Sequence, residues 1–224
     1  MANWPFAFLK MPTRSPERRA LALGVLVLGL ALSRLAAAAG GPLGIDYRLG
    51  YDSSGIYARK YSLALERGVV LLEVGGALWL GGKSKLGRTF WQSLDASVGS
   101  ALISAQVMKY AFGRLRPAQT DNPNRWFQGS HAQSFPSGEV TLQASFVTPF
   151  IMAYRHQYPW IWSLEALPLY DAEARMKEWG HWQTDVLAGW ALGTAWGIYA
   201  ADRKTPFILS FMPNGIVVGL HESF

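Results

Sequence analysis

Long hydrophobic stretches, each broken by one or a few charged residues, alternate along the chain with polar segments rich in Pro, Gly, Asn and Ser. Apolar stretches of this length are typical of helices, and the polar segments are typical of loops. Pro149 lies inside one stretch and is expected to bend it. The pattern predicts helices over residues 63–82, 89–113, 139–156 and 184–202, with two shorter helical pieces on either side of Pro168.

The last twenty residues have a different pattern. Two β-prone runs flank Pro213, Asn214 and Gly215, and Asn-Gly between such runs is a hairpin signal. No internal repeat or low-complexity tract is present. We therefore predict an all-α domain over residues 41–205, followed by a short C-terminal β-hairpin tail over residues 206–224.

The N-terminal forty residues read as a targeting segment. A basic lead at residues 10–19 precedes an apolar run at 20–32 and small residues up to Gly41, which is typical of a secretory signal peptide. Reading on to Ala39 lengthens the apolar run to about twenty residues, enough for an uncleaved membrane anchor. A buried N-terminal core helix is the third interpretation. We predict a signal peptide or anchor over residues 1–40, and an exported protein, either periplasmic or membrane-associated with its site facing the periplasm.

Charged residues within the remaining apolar stretches favour a helical bundle that faces water. A spanning helix needs about twenty mostly apolar residues, and charges inside it are costly. The mean hydropathy of +0.09 is also low for a chain built mainly of spanning segments. A protein with several spans and functional charges inside the membrane is the alternative.

Composition narrows the chemistry only in part. The chain has no Cys, which excludes disulfides, thiolate metal sites and Cys nucleophiles. Its net charge of +6 and isoelectric point near 9.7 suit phosphate-bearing partners, acidic membrane surfaces or nucleic acid, without distinguishing among them.

Three clusters of polar residues carry candidate chemistry. The first places Lys109, Arg114 and Arg116 around a predicted helix end, where cations either clamp a phosphate or simply complement the helix dipole. The second is Ser137-Gly138 at a predicted helix N-terminus, a place that attracts anions, although Ser137 alone fits an ordinary N-cap.

The third cluster contains Arg175, His181 and Asp185. His181 and Asp185 are four residues apart, so on a helix the carboxylate would hold one imidazole nitrogen and leave the other free as nucleophile or base. A structural His–Asp pair is the competing interpretation. Trp179 and Trp182 flank His181, and we expect them to wall its pocket.

In this order, Lys-x6-Arg-Pro, Pro-Ser-Gly and Arg-x5-His-x3-Asp resemble the motifs of the type 2 phosphatidic acid phosphatase (PAP2) superfamily. That superfamily also contains bacterial nonspecific acid phosphatases and vanadium haloperoxidases. The resemblance implies a helical bundle of the PAP2/acid phosphatase type and a phosphatase that uses neither a metal nor another cofactor. It implies a phosphorylated lipid or small phosphate ester as partner, with a membrane surface nearby and no nucleic acid.

The resemblance also implies a role for each matching residue. His181 would attack phosphorus to give a phosphohistidine, and Asp185 would fix its tautomer and stabilise the imidazolium. The phosphate oxygens would be bound by the remaining cations and by the start of the helix: Lys109, Arg116, Arg175, Ser137 and Gly138.

Two positions depart from the motifs. Ala174 stands where the third motif usually has Ser, and Glu139 stands where the second usually has His, the acid that protonates the leaving oxygen. A carboxylate beside a phosphate dianion is disfavoured, so we hypothesise that Glu139, once protonated, takes over that role. The competing interpretations are an ordinary first-turn carboxylate, or His131 swinging in as the acid.

The leading functional prediction is a phosphatase that hydrolyses phosphate monoesters or diphosphates of membrane lipids. A soluble periplasmic acid phosphatase shares the chemistry. A vanadate-dependent haloperoxidase uses the same phosphate cradle, but the chain is short for that branch and Glu139 replaces its acid–base His. A non-catalytic, membrane-associated binding or assembly protein with a degenerate cradle is the remaining alternative.

Overall fold

A computed structural model describes residues 40–203 and the backbone of two short strands farther along the chain. Over residues 40–203 the protein is an all-α bundle, which confirms the predicted fold class. Two 3₁₀ helices, Gly55–Tyr57 and Pro159–Glu165, and one π-helix, Val98–Ser104, accompany six α-helices. The α-helices are α1 (Arg59–Leu80), α2 (Lys85–Ser97), α3 (Ala105–Phe112), α4 (Gly138–Tyr154), α5 (Ala166–Lys177) and α6 (Gln183–Ala201).

Strands β1 (Ser210–Met212) and β2 (Gly215–Val217) pair antiparallel, with Phe211 opposite Ile216. Their connecting residues 213–214 and the rest of 204–224 lie outside the described residues, so the hairpin tail over 206–224 stays a prediction. The signal peptide or anchor predicted over residues 1–40 falls almost wholly on residues 1–39, which also lie outside them.

Helix α4 forms the centre of the bundle. Every residue from Val140 to Ile151 is buried, as expected for a helix that is apolar on all sides. Helices α2, α5 and α6 pack around it, and α1 packs against α2. Phe146 and Phe150 of α4 lie in the hydrophobic core, where Phe150 meets Phe90 edge to face.

A row of glycines brings α6 unusually close to α4. A Cβ added at Gly189 would lie 2.5 Å from the Ser137 carbonyl oxygen, and one at Gly193 would lie 2.3 Å from the Thr141 carbonyl oxygen. Neither position has room for a side chain. Because Ser137 immediately precedes α4, this contact ties the start of α4 to α6.

The helix predicted over residues 89–113 is continuous, but it consists of α2, the π-helix and α3 in succession, not of a single α-helix. It begins earlier, at Lys85, where Ser84 Oγ accepts a hydrogen bond from Gly87 N, and it passes through the π-helix before α3. The predicted first helix likewise begins earlier, at Arg59. The two helical pieces around Pro168 meet at Glu165 and Ala166, and Pro168 lies in the first turn of α5, where its missing N–H is tolerated.

None of the helices in the described part of the chain combines the length and apolar character needed to cross a bilayer.

Candidate active site

The three predicted clusters meet around one cavity. It has a volume of about 270 Å³, and its polar end is lined by Lys109 and Arg116 from the first cluster, Gly138 and Glu139 from the second, and His181 from the third. Its other end runs between α1 and the α2–π-helix segment and is mostly apolar. The structure therefore brings together residues up to 72 positions apart in sequence, Lys109 and His181.

The chain reaches this cavity from α3 through a sharp turn. Gly113 ends α3 in the left-handed conformation, with φ +44°, which favours glycine. The following segment is held by backbone hydrogen bonds from Leu115 N to Arg125 O and from Ser134 N to Arg114 O. These bonds fix Arg116 beside the loop that ends at Ser137.

His181 is oriented by a backbone carbonyl. Its Nδ1 lies 2.6 Å from the carbonyl oxygen of Ser134, an acceptor only, so Nδ1 carries the proton and Nε2 keeps its lone pair. The ring is almost wholly buried, and burial lowers the pKa of His181 well below 6.5, with Arg116, Arg175 and Lys109 lowering it further. The imidazole is therefore neutral at physiological pH, as a nucleophile requires.

The helical geometry predicted for His181 and Asp185 is wrong. Helix α6 begins only at Gln183, so His181 precedes it, and Nδ1 lies 3.9 Å from Asp185 Oδ2, too far for a hydrogen bond. Asp185 instead accepts hydrogen bonds from Trp182 N (2.8 Å) and Ser134 Oγ (2.5 Å). It reaches His181 through Ser134, whose hydroxyl it binds and whose carbonyl binds the ring.

Arg114 is a buried structural residue that sequence reasoning placed only among the nearby cations. Its guanidinium pairs with Asp46 and Asp185, both at 2.5 Å, and lies 4.3 Å above the Trp126 ring. Asp46 in turn accepts hydrogen bonds from Thr184 N and Oγ1. This cluster fixes the start of α6 and therefore the position of Asp185. The pairing of Arg114 with two carboxylates could not be predicted from the sequence, because Asp46 is far from both Arg114 and Asp185 along the chain.

Lys109 and Arg116, the two cations at the polar end of the cavity, form no ion pair with a carboxylate among residues 40–203. Burial lowers the pKa of both groups; Arg116 lowers that of Lys109 further, and Arg175 lowers that of Arg116. A bound dianion would relieve this accumulated positive charge.

The N-terminus of α4 adds to the positive field. A Cβ at Gly138 would lie 3.1 Å from Lys109 Nζ, so glycine lets the ammonium approach the positive end of the helix dipole. Ser137 occupies the N-cap position, but its side chain caps no backbone N–H. Its buried Oγ makes no hydrogen bond to any described residue. The simple N-cap interpretation of Ser137 is therefore wrong.

Arg175 lies between two carboxylates. Its Nη1 pairs with Glu178 Oε2, and its Nε lies 3.5 Å from Glu139 Oε1. Gly180 makes room for the guanidinium, because a Cβ there would lie 2.3 Å from Arg175 Nη2. These two carboxylates hold the Arg175 guanidinium near the end of α5, a few residues before His181.

Glu139 has a second cation that no motif contains. Arg59 Nη1, at the start of α1, donates to Glu139 Oε2 at 2.5 Å and to Ser62 Oγ at 2.9 Å. With Arg175 on the other oxygen, two guanidinium groups offset the carboxylate charge. Arg59 was missed because only the fold brings it to Glu139, 80 residues away. His131, the alternative acid, is exposed and does not line the cavity.

Trp179 and Trp182 do not wall the cavity, contrary to expectation. Trp182 is fully buried and its Nε1 donates to Leu115 O, while Trp179 Nε1 donates to Leu49 O. Both rings anchor loops around the site. In the described part of the chain, no three His, Asp or Glu side chains are close enough together to hold a metal ion.

The model of the PAP2 superfamily matches residues 92–205, half of the chain. The chain belongs to this superfamily. The match contains all eight residues predicted for the site of a PAP2 protein, from Lys109 to Asp185. Arg59 lies outside it, as do the three cavity-lining residues of α1, Glu66, Val70 and Glu73.

Two curated relatives of this PAP2 protein are themselves phosphatases by name. A lipid A 1-phosphatase of Porphyromonas gingivalis is 33% identical over 101 residues, which are 43% of this chain and 20% of the relative. An undecaprenyl-diphosphatase of Sulfolobus acidocaldarius is 27% identical over 96 residues, 42% of this chain and 45% of the relative. The chain thus spans less than half the length of either relative. No solved structure matches it.

Proposed function

We propose that this PAP2 protein is a phosphatase that hydrolyses phosphate monoesters or diphosphates of lipids through a phosphohistidine at His181. One observation carries the proposal: a neutral imidazole, whose Nδ1–H donates to the Ser134 carbonyl, lines the same cavity as Lys109 and Arg116, two cations without a carboxylate partner among residues 40–203. Such a site binds a phosphoryl group and presents a nucleophile to it without needing a metal ion for charge neutralisation.

In the first step the Nε2 lone pair of His181 attacks phosphorus, and the bond from phosphorus to the leaving oxygen breaks. Lys109, Arg116 and Arg175 hold the phosphoryl oxygens, and Ser137 Oγ and the Gly138 N–H donate to them. The positive charge that forms on the imidazole is stabilised by the hydrogen bond from Nδ1–H to Ser134 O and by the nearby carboxylate of Asp185, which accepts from Ser134 Oγ. Water then attacks phosphorus, the P–N bond breaks, and Nε2 recovers its lone pair.

Glu139 is the proposed acid for the leaving oxygen. It lines the cavity beside His181, and its carboxylate is held by Arg59 and Arg175. A phosphate dianion that engages Arg175 leaves this carboxyl beside a doubly negative group, which favours its protonated form. The proton passes to the leaving oxygen in the first step, and the attacking water returns one to Glu139 in the second.

The apolar half of the cavity supports a lipid as the leaving group. Val70, Leu94, Ala101, Leu102 and Leu142 line it, a surface that suits a hydrocarbon chain better than a small polar alcohol. The names of the two relatives, one acting on lipid A and the other on undecaprenyl diphosphate, point to the same class of substrate.

An exposed apolar surface beside this cavity supports membrane association. On α1, Leu71 is 73% exposed and Trp79 is 89% exposed, and on the π-helix Leu102, which also lines the cavity, is 67% exposed. Large apolar side chains exposed to this degree favour contact with an apolar partner. A bilayer laid against it would place lipid chains at the apolar end of the cavity.

The bilayer contact is tested by flotation of the full chain with lipid vesicles. The variant Leu71→Ser/Trp79→Ser should lose at least about half of its vesicle binding while keeping its rate on p-nitrophenyl phosphate. Trp160→Ser is the matched control, because Trp160 is 67% exposed but lies on the 3₁₀ helix away from α1. Equal flotation of both variants would contradict the contact.

The phosphatase itself is tested with a substrate panel on purified protein, with His181→Ala as the blank. The panel should include phosphatidic acid, a polyprenyl diphosphate and p-nitrophenyl phosphate. We expect hydrolysis of at least one lipid phosphate, abolished in the blank. Hydrolysis of soluble esters alone would favour a nonspecific acid phosphatase, and tight phosphate binding without any turnover would favour a binding protein.

A further inference from the structure

A buried carboxyl group interrupts the apolar half of the cavity. Glu73 of α1 lines it among Val70, Leu94 and Val98, and its side chain is only 1% exposed. Its Oε1 accepts hydrogen bonds from Ser97 Oγ (2.6 Å) and Ser93 Oγ (2.9 Å). The phosphohydrolase mechanism gives this group no role.

Glu73 has hydroxyl partners but no cation. Within residues 40–203 it makes no ion pair, and its second oxygen, Oε2, accepts no hydrogen bond. Burial raises the pKa of Glu73 to about 7, although both serine hydroxyls lower it. An unpaired carboxyl costs free energy in apolar surroundings, and a core that needed only to join α1 to α2 would be filled better by an apolar side chain.

The position of Glu73 along α1 sets its distance from the phosphate. Glu66, two turns earlier on the same face of α1, lies at the phosphate end: Glu139, Arg59, Lys109 and Arg175 all affect its pKa, which burial raises. Seven residues of helix span about 10 Å, so Glu73 lies about that much deeper in the apolar half of the cavity.

We infer that Glu73 Oε2 accepts a hydrogen bond from a hydroxyl or amide N–H on the substrate chain, about 10 Å farther along the cavity than its phosphate end at Glu66. The inference rests on the proposed function and narrows its substrate class. A lipid phosphate whose chain carries a donor at that depth is preferred over one with a plain hydrocarbon chain, because the plain chain leaves Oε2 buried without a partner.

The test compares two synthetic alkyl phosphates of equal length, one plain and one with a hydroxyl about 10 Å along the chain. For the native protein, kcat/KM should favour the hydroxylated ester by about 10-fold. In Glu73→Met the ratio should fall to about one, through loss on the hydroxylated ester and gain on the plain one. In Glu73→Gln the amide oxygen takes the two serine hydroxyls and the amide N–H₂ donates to the substrate hydroxyl, so the ratio should stay above one.

Glu66→Gln is the matched control, since it changes the same face of α1 at the phosphate end and should leave the ratio unchanged. Both esters are measured on the same preparation of each variant, so a general loss of stability does not alter the ratio of their kcat/KM values. If Glu73→Met does not fold, the ratio for Glu73→Gln tests the subsite. A native ratio of one or less, or the native ratio persisting in Glu73→Met, overturns the subsite. Failure to hydrolyse either ester overturns the proposed function, and the subsite with it.

Discussion

At the scale of single residues, the protonation state of His181 is set by what surrounds it. The Ser134 carbonyl accepts a hydrogen bond from Nδ1–H, and burial together with three nearby cations keeps the ring neutral. The residues of this site were predictable from their spacing, because the spacing belongs to the family. Their contacts were not: Ser134, Arg59 and Arg114 act on the site through positions that only the fold brings near.

The neutral imidazole predicts the acid side of the pH profile. Because the pKa of His181 is lowered, the ring stays unprotonated as pH falls through 6.5, so kcat/KM for p-nitrophenyl phosphate should not decline there. Steady-state rates between pH 4 and 8 check this. His131→Asn, at an exposed His, is the control and should leave the profile unchanged; an acid limb centred at 6.5 or above in both proteins would contradict the geometry.

The acid role of Glu139 predicts a dependence on the leaving group. Glu139→Gln should slow hydrolysis of an alkyl phosphate by about 100-fold, because the alkoxide then leaves without a proton. The same change should cost less than about 3-fold with p-nitrophenyl phosphate, whose leaving oxygen needs no acid. Equal losses on both esters would defeat the assignment.

Arg59 supplies a second check on Glu139. Arg59→Met removes one of the two guanidinium groups that hold the carboxylate, so that only Arg175 still orients it. Hydrolysis of an alkyl phosphate should therefore slow by about 10-fold, while hydrolysis of p-nitrophenyl phosphate, which needs no acid, should change by less than about 3-fold in steady-state assays. A variant that keeps the native rate on the alkyl phosphate would show that Arg59 does not position Glu139.

At the scale of elements, helix existence was predictable and helix boundaries were not. The apolar pattern located α4 and α6 to within two residues, because both helices are long and apolar over most of their length. It missed the π-helix between α2 and α3, whose hydrogen-bond shift leaves no mark in hydrophobic periodicity. The helical spacing assumed for His181 and Asp185 was wrong for another reason: His181 precedes α6, and its backbone N–H is held in a turn by Arg175 O.

Close packing of α4 on α6 predicts an asymmetric response to alanine. Gly193→Ala should lower the free energy of unfolding by about 2–3 kcal/mol, because its Cβ meets the Thr141 carbonyl oxygen. Gly75→Ala is the control: nothing lies within 4 Å of a Cβ there, and alanine in this exposed part of α1 should stabilise by about 0.5–1 kcal/mol. Urea unfolding measures both, and similar effects at the two positions would contradict the close contact.

At the scale of the whole molecule, buried acids couple stability to pH. Asp171 is fully buried, and burial, followed by the Glu139 carboxylate, raises its pKa from 3.8 to about 7, although the Gln143 side chain and Arg175 lower it. A carboxyl whose folded pKa is raised contributes stability that is present at low pH and is lost as pH rises from about 4 to about 7. Sequence patterning could not identify this residue, because Asp171 stands in a helix that otherwise looks amphipathic.

Asp171→Asn should therefore raise the free energy of unfolding at pH 8 by a few kcal/mol, the order of magnitude that corresponds to the raised pKa of Asp171. The gain should vanish near pH 4, where the carboxyl is protonated in both the folded and the unfolded protein. Denaturant unfolding at both pH values checks this. Asp121→Asn, at a carboxylate that is 83% exposed, should change stability by less than about 1 kcal/mol at either pH. A variant of Asp171 that is less stable than the native protein at pH 8 would mean that the carboxylate has a stabilising partner.

The central claim is that His181 becomes covalently phosphorylated, and rapid acid-free quenching with a ³²P-labelled phosphate ester tests it most directly. We expect label on the protein that survives alkali, is lost in acid, maps to the peptide containing His181 and is absent from a folded His181→Asn variant. Turnover of the same ester without any trapped label, or label that persists in His181→Asn, would contradict it.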